Sequence, residues 1–447
     1  VAGVGGNEVG IMKGRRRAGV IAVAAAAAPL LLAGCTGKPA RIAQAPAPAV
    51  AITPAANSTN VPVSAEIGAV VTGGKVTEVT LTDATGARVA GVMRADGSSW
   101  LPDAALKHKQ SYTAQVTAVS DKGRSTTQTA TFTTMGKPQS RNETTLYLGS
   151  GRTYGVAMPV TIGFEKGVPK QARAQVQRRL FVTTDPPQPG LWHWEKDGKQ
   201  VYYRAPDFWR PGTKINVRAA LGGLPMGDGS YGDVDHAESA TIGNKVTLEI
   251  DNKTKLMSVY KDDKLARKIP VSMGKPSTPT SSGKMVIMEK HDYTTFDTRG
   301  EPNGGYVVDV EDAQRLTWGG EFIHSAPWSV GDQGYVNVSH GCTNVSPANA
   351  DWLMKVTHVG DLVTIKGTEV KLDPGNGWTA WDMSWDEYIK GSALPVPDEL
   401  RAAPQPAPTA APTGAPSAAP TGSPTAAPTG APSAASTGAA PADGDGE

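Results

Sequence analysis

One stretch of this 447-residue chain concentrates groups that could do covalent chemistry. Cys342 lies in Ser339-His340-Gly341-Cys342-Thr343-Asn344, and His324-Ser325 stands upstream, with 14 residues between His324 and Ser339. A thiol beside an imidazole gains thiolate character, which a nucleophile needs. Gly341 removes a side chain next to the sulfur, so a substrate backbone can come close. A helix predicted to begin a few residues later, at Pro347, offers backbone N–H groups for an oxyanion. A lone cysteine is more often a small buried hydrophobe, but two histidines, a glycine and an asparagine around it point to acyl transfer. Spacing alone leaves open which histidine takes the proton.

The remaining composition excludes several other chemistries. Lys plus Arg number 44 against 42 Asp plus Glu, so no strong field favours nucleic acid. Two cysteines cannot build a disulfide framework or a Cys-rich zinc site, and 7 scattered histidines suggest no metal tract. No metal or cofactor is therefore expected. Trp192, Trp194, Tyr202, Tyr203, Phe208 and Trp209 cluster strongly; stacked aromatics can bind sugars, but core or interface packing is the stronger expectation. His193 and His236 have no partner pattern.

Both ends of the chain read as segments outside the fold. Lys13, Arg15, Arg16 and Arg17 precede an apolar stretch over residues 19–33, too short to span a bilayer comfortably. It ends in Leu32-Ala33-Gly34-Cys35, similar to the lipobox of bacterial lipoproteins. Lipidation of Cys35 would anchor an exported protein to the outer face of the cytoplasmic membrane, leaving Cys342 as the sole free thiol. The natural start is Val1 or Met12. Residues 401–447 hold 16 Ala and 10 Pro among 47 and repeat Ala-Ala-Pro-Thr-Gly at 410, 418 and 426, which predicts an extended tail without a core.

Between these ends the pattern is mostly β. Thr/Val-rich alternation over 76–81, 112–119 and 127–133, separated by Gly and Asp turns, predicts a β-sandwich. A second unit has strand patterns over 156–164 and 214–220 and a helical pattern over 171–181 after Pro169. The third unit alternates over 246–250 and 255–260, continues as strands over 268–272, 283–288 and 361–365, and has a helix over 347–356 capped by Ser346. A Trp-rich piece with Trp378, Trp381 and Trp385 should pack back on that third unit. The boundaries expected are a signal peptide at 1–34, a lipid anchor and Pro/Ala spacer at 35–51, immunoglobulin-like domains at 52–136 and 137–243, a catalytic domain at 244–367, a C-terminal subdomain at 368–399 and a tail at 400–447.

The stretch 336–349 and the stretch 324–331 together resemble the signature of L,D-transpeptidases with a YkuD-type catalytic domain. The module order is similar to that of actinobacterial multidomain members, and the resemblance covers about residues 35–395. It implies two immunoglobulin-like β-sandwiches in series, a mostly-β catalytic domain and a small Trp-rich subdomain. It implies Cys342 as nucleophile, His324 as general base, and Ser325 orienting that imidazole through its backbone carbonyl. His340, Gly341 and Cys342 would line the oxyanion hole. Tyr306, on a turn-rich flap over 291–306, would contact substrate, as would Gly319, Gly320 and Asn344; the contacts of Phe296 on that flap are not fixed. Thr343 departs from the usual apolar residue after the cysteine, and its hydroxyl is expected to bond locally with little loss of activity.

The implied reaction is a peptidoglycan 3→3 cross-linking acyl transfer through a Cys342 thioester, with D-Ala released from a tetrapeptide donor. Its partners would be the donor stem, an acceptor amine, the membrane through Cys35, and carbapenem inhibitors. An L,D-carboxypeptidase with water as acceptor is the first alternative. A non-enzymatic wall-binding lipoprotein is the second. A sortase-like reading lacks an Arg close after the cysteine.

Overall fold

The computed structural model describes residues 46–300, 305 and 307–401. The signal, Cys35, Tyr306 and the Ala/Pro repeats lie outside the described residues. The first unit is a sandwich of two sheets. Ala49–Thr53, Ile67–Thr72, Ser99–Pro102 and Gly91–Met93 form one, in that order, and Lys75–Asp83, Ser111–Val119 and Ser125–Thr133 form the other. The alternation predicted over 112–119 sends Tyr112, Ala114, Val116 and Ala118 inward, against Ile52, Ile67, Leu81 and Phe132. Its first strand begins at Ala49, inside the stretch read as spacer. Main-chain pairing with Ile67–Thr72 recruits these small residues into the sheet.

The second unit also stacks two four-stranded sheets. Two expectations fail here for identifiable reasons. The strand read over 156–164 is only Val160–Phe164, because Gly155 N donates to Val359 O at 2.8 Å and Ala157 N to Gly360 O at 3.0 Å in the third unit. The helix read over 171–181 is Lys170–Gln177. Leu180–Asp185 instead pairs along its whole length with Lys214–Ala219, where its Val and Thr residues suit a pleated sheet. The aromatic cluster is a core: Trp192, Trp194, Tyr202 and Trp209 are buried together.

The Trp-rich C-terminal piece docks chiefly on this second unit rather than on the third. Arg204 is the reason. Its guanidinium lies 4.3 Å from the Trp381 ring centroid and 4.2 Å from that of Tyr388, and it donates to Ala380 O at 3.0 Å. Tyr202 Oη donates to Gly377 O at 2.9 Å, and Trp381 Nε1 to Ala157 O at 2.7 Å. His193 Nδ1 bonds Tyr388 O at 2.7 Å, as a satisfied core histidine would; His236 Nε2 bonds Thr144 Oγ1 at 2.8 Å. Leu400, read as the start of the tail, is buried, and its carbonyl accepts from Trp385 Nε1.

The third unit holds two sheets and one long helix. Six strands run in the order Lys264–Pro270, Leu256–Lys261, Val246–Asp251, Leu362–Lys366, Ser281–Val286 and Val370–Lys371. The second sheet orders Glu289–Asp297, Val307–Arg315, Phe322–Ser325 and Thr343–Val345. Over 291–297 the flap read as turn-rich is instead strand, paired antiparallel with Val307–Arg315, with Thr294 opposite Val310 and Phe296 opposite Val308. Its aromatic and β-branched residues outweigh the turn formers. The helix is Pro347–Val356, as the Ser-Pro start predicts, although Ser346 makes no side-chain cap bond.

Candidate active site

Two short strands bring the sequence motif together. Phe322–Ser325 is buried at all four positions and runs parallel to Thr343–Val345, with His324 opposite Asn344. Cys342 enters that second strand, 8% exposed, on the side where Phe322 and Ala313 pack. His324 and Cys342 thus line one cleft of about 490 Å³, together with Phe296 and Val308 of the hairpin, Trp328, Ser329, Asp332, Val338, Ser339, His340 and Asn344.

The turn before the cysteine is fixed by side chains. Ser339 Oγ donates to Cys342 O at 2.6 Å and accepts from Gly341 N at 3.1 Å. Thr280 Oγ1 donates to Gly341 O at 2.7 Å. Gly341 has φ +129°, while a Cβ there would meet nothing nearer than 3.9 Å. The glycine is therefore required by backbone conformation more than by space. Ser339 engages the N–H of Gly341, one of the residues read as lining the oxyanion hole.

The tautomer of His324 follows from its partner. Nδ1 lies 2.8 Å from Ser325 O; a carbonyl only accepts, so Nδ1 carries the hydrogen and Nε2 presents its lone pair. Burial of the ring, 4% exposed, pushes its pKa below the ordinary imidazole value, with the Ser325 carbonyl opposing in part. Phe296 stands edge-on to the ring at 5.3 Å. His340 is different. It is exposed, and its Nε2 lies 3.0 Å from Lys275 Nζ. An ammonium only donates, so that nitrogen accepts and the ring's hydrogen sits on Nδ1. The geometry favours His324 over His340 as a base.

The other predicted positions divide. Cys342 Sγ donates to Gly320 O at 3.6 Å, and Gly320 has φ +91°. Gly319 N donates to Asn376 Oδ1 at 2.8 Å; neither glycine lines the cleft. Asn344 Nδ2 donates to Ser329 Oγ at 3.1 Å, while its Oδ1 is buried without a hydrogen-bond partner among the described residues. Such an orphaned acceptor on the cleft wall suits a substrate N–H. Thr343 corrects its expectation: the hydroxyl, read as locally bonded, has no partner among the described residues and is buried. Val308, Asp332, Val338 and Lys275 were not singled out from sequence. Trp328 could have been, since it lies four residues after His324 inside the matched stretch; for Lys275 the sequence carries no signal.

Residues 245–365 match the L,D-transpeptidase catalytic domain and residues 58–225 match the bacterial Ig domain. L,D-transpeptidase 2 of Mycobacterium tuberculosis is 34% identical over 74% of this chain and 82% of its own length. The chain belongs to the L,D-transpeptidase family. L,D-transpeptidase 5 of the same organism is also 34% identical, over 85% of both chains. Among solved structures, an L,D-transpeptidase from Mycobacterium smegmatis is 32% identical, with TM-score 0.39 over 51% of this chain and 100% of that one. An L,D-transpeptidase in complex with imipenem is 30% identical, with TM-score 0.42 over 51% of this chain and 100% of that one. As a family member the chain is an acyl-transfer enzyme, with Ig-like domains preceding the catalytic domain.

Proposed function

We propose that this L,D-transpeptidase forms 3→3 cross-links in peptidoglycan through a thioester on Cys342. The observation that carries the reading is the shared cleft of a cysteine and a buried imidazole whose tautomer the Ser325 carbonyl fixes. Cys342 gives its proton to His324 Nε2, and the thiolate attacks the carbonyl of the third stem residue. The C–N bond breaks as the departing D-Ala amine takes the proton from the imidazolium. A side-chain amine of a second stem then attacks the thioester. The N–C bond forms, the C–S bond breaks, and the proton returns to His324. Asn344 Oδ1 and the 339–342 backbone are the candidate holders of the stem. For Tyr306, Gly319 and Gly320 a substrate contact rests on the family resemblance, supported at Gly320 by its carbonyl accepting from the Cys342 thiol.

The same reading takes the protein to be exported and held by acyl chains on Cys35, with the two sandwiches lifting the active site into the wall. Carbapenems should acylate Cys342. Incubation with a purified disaccharide tetrapeptide and mass spectrometry tests the reaction. A dimer weighing two substrates minus one D-Ala, lost in Cys342→Ala, supports it. A tripeptide monomer alone means that water is the acceptor and the enzyme is a carboxypeptidase.

A further inference from the structure

Asp332 is the one carboxylate among the described residues lining the cleft. Its backbone polarity is spent internally. Asp332 N donates to Ser329 O at 2.9 Å, and Asp332 O accepts from Tyr335 N at 3.0 Å and Val336 N at 2.9 Å. Among the described residues, no side-chain hydrogen bond or ion pair engages its carboxylate. Asp332 therefore brings to the cleft one negative group whose partner is not supplied by the fold. The segment around it also exposes several large apolar side chains. Trp328 is 57% exposed, Tyr335 83% and Val336 48%. Exposed apolar side chains beside a cleft mark a surface that meets a ligand.

Charge assigns the ligand. In the reaction proposed above both stems end in a free carboxylate, but on the donor it belongs to the residue next to the reacting carbonyl, where Asp332 would repel it. The acceptor arrives as a primary amine, and at neutral pH that amine is an ammonium. Lys275, the cation bonded to His340 of the cleft lining, is already engaged there. We infer that Asp332 is the specificity residue that receives the acceptor's ammonium, with the 328–338 segment as the platform for the rest of the acceptor. One ammonium proton is released to solvent before attack. The second passes to His324 Nε2 as the N–C bond forms and the C–S bond breaks. The inference rests on the cross-linking reading and adds to it where the nucleophile docks.

The test uses the purified full chain and its Asp332→Asn and Asp332→Glu variants with the disaccharide tetrapeptide as donor and acceptor. Two quantities are read in one reaction: the rate at which the acyl-enzyme forms, and the ratio of cross-linked dimer to hydrolysed tripeptide across a substrate series. Loss of one charge-assisted contact shifts the dimer-to-tripeptide ratio of Asp332→Asn about tenfold toward tripeptide. Its acylation rate changes far less, and Asp332→Glu recovers most of the ratio. An unchanged ratio in Asp332→Asn overturns the inference. So does a slowed acylation with an unchanged ratio, which would put Asp332 on the donor side. If wild type forms no acyl-enzyme, the cross-linking reading falls, and the inference falls with it.

Discussion

Asp361 gives the most quantitative prediction. It is fully buried where the catalytic unit meets the second sandwich. Its Oδ2 accepts from His358 N at 2.7 Å, while Oδ1 has no partner among the described residues. A Cβ on Gly155 would fall on that same atom, so the two units touch there without room for water. His358 supplies no countercharge, because burial and then Lys290 push its pKa down. Lys290 Nζ is already bonded to Met354 O at 2.8 Å and Thr357 O at 2.6 Å. Burial raises the Asp361 pKa from 3.8 to about 8. The folded state thus keeps a proton that the unfolded chain has released. Between about pH 4 and pH 8 folding takes up that proton, and stability falls by about 1.4 kcal/mol per pH unit as pH rises. The whole effect is about 6 kcal/mol, fully present as a loss above pH 8. In Asp361→Asn the amide NH₂ replaces the acid's O–H and the carbonyl still accepts from His358. The variant should equal wild type near pH 5 within about 2 kcal/mol and exceed it by several kcal/mol at pH 8. Calorimetric melting at pH 5, 6, 7 and 8 should show the Tm gap widening with pH. A gap constant across that range would refute the reasoning.

Four further outcomes follow from the site and its supports. Gly341→Ala should cost about 1–3 kcal/mol, because φ +129° is strained for any residue with a Cβ; melting reads the cost, and a full-length rescue of activity at low temperature would mean that only stability was touched. Ser339→Ala removes two of the three side-chain bonds described at the turn before Cys342, leaving that from Thr280; carbapenem adduct formation, followed by mass, should slow about tenfold or more. The depressed His324 pKa keeps the imidazole neutral, and so able to accept a proton, at pH values below its ordinary 6.5; adduct formation should hold its rate as pH falls through 6.5, and a fall centred at or above 6.5 would argue against His324 as base. Arg204→Gln removes a buried guanidinium, held down to a pKa of about 10 by burial, from three aromatic faces and several carbonyls; a loss of about 2–4 kcal/mol and early proteolytic release of the C-terminal piece are expected.

What the sequence made legible, and what it hid, separate by the range of the interactions. The sandwich strands were readable because alternation is local: Tyr112, Ala114 and Val116 announce their inward face without reference to anything else. The cysteine motif was readable because its residues fall in two short stretches, the turn 339–342 and the strands 322–325 and 343–345, which pair in parallel across a single connection over 326–342. The helix at 171–181 was misread because Leu180–Asp185 gains more from Lys214–Ala219, some thirty residues away, than from continuing a helical turn. The docking of the C-terminal piece was misread for the same reason, since nothing around Arg204 in sequence names Trp381 or Tyr388 as its partners.

The choice between the two histidines has this character too. Composition treats His324 and His340 alike, and both stand near Cys342. Their hydrogen-bond partners differ in kind: a backbone carbonyl one residue on for His324, and an ammonium from a loop 65 residues upstream for His340. The first partner can only accept and leaves Nε2 open toward the cleft. The second can only donate and occupies Nε2. Removing Lys275 is therefore the sharp test of whether the histidines are interchangeable. In Lys275→Met, His340 Nε2 loses its donor and becomes a possible second base. If the hydrogen-bond partners govern the choice, His324→Gln recovers a few per cent of adduct formation in that background; continued inactivity would show that position, and not Lys275, holds His340 out of the reaction.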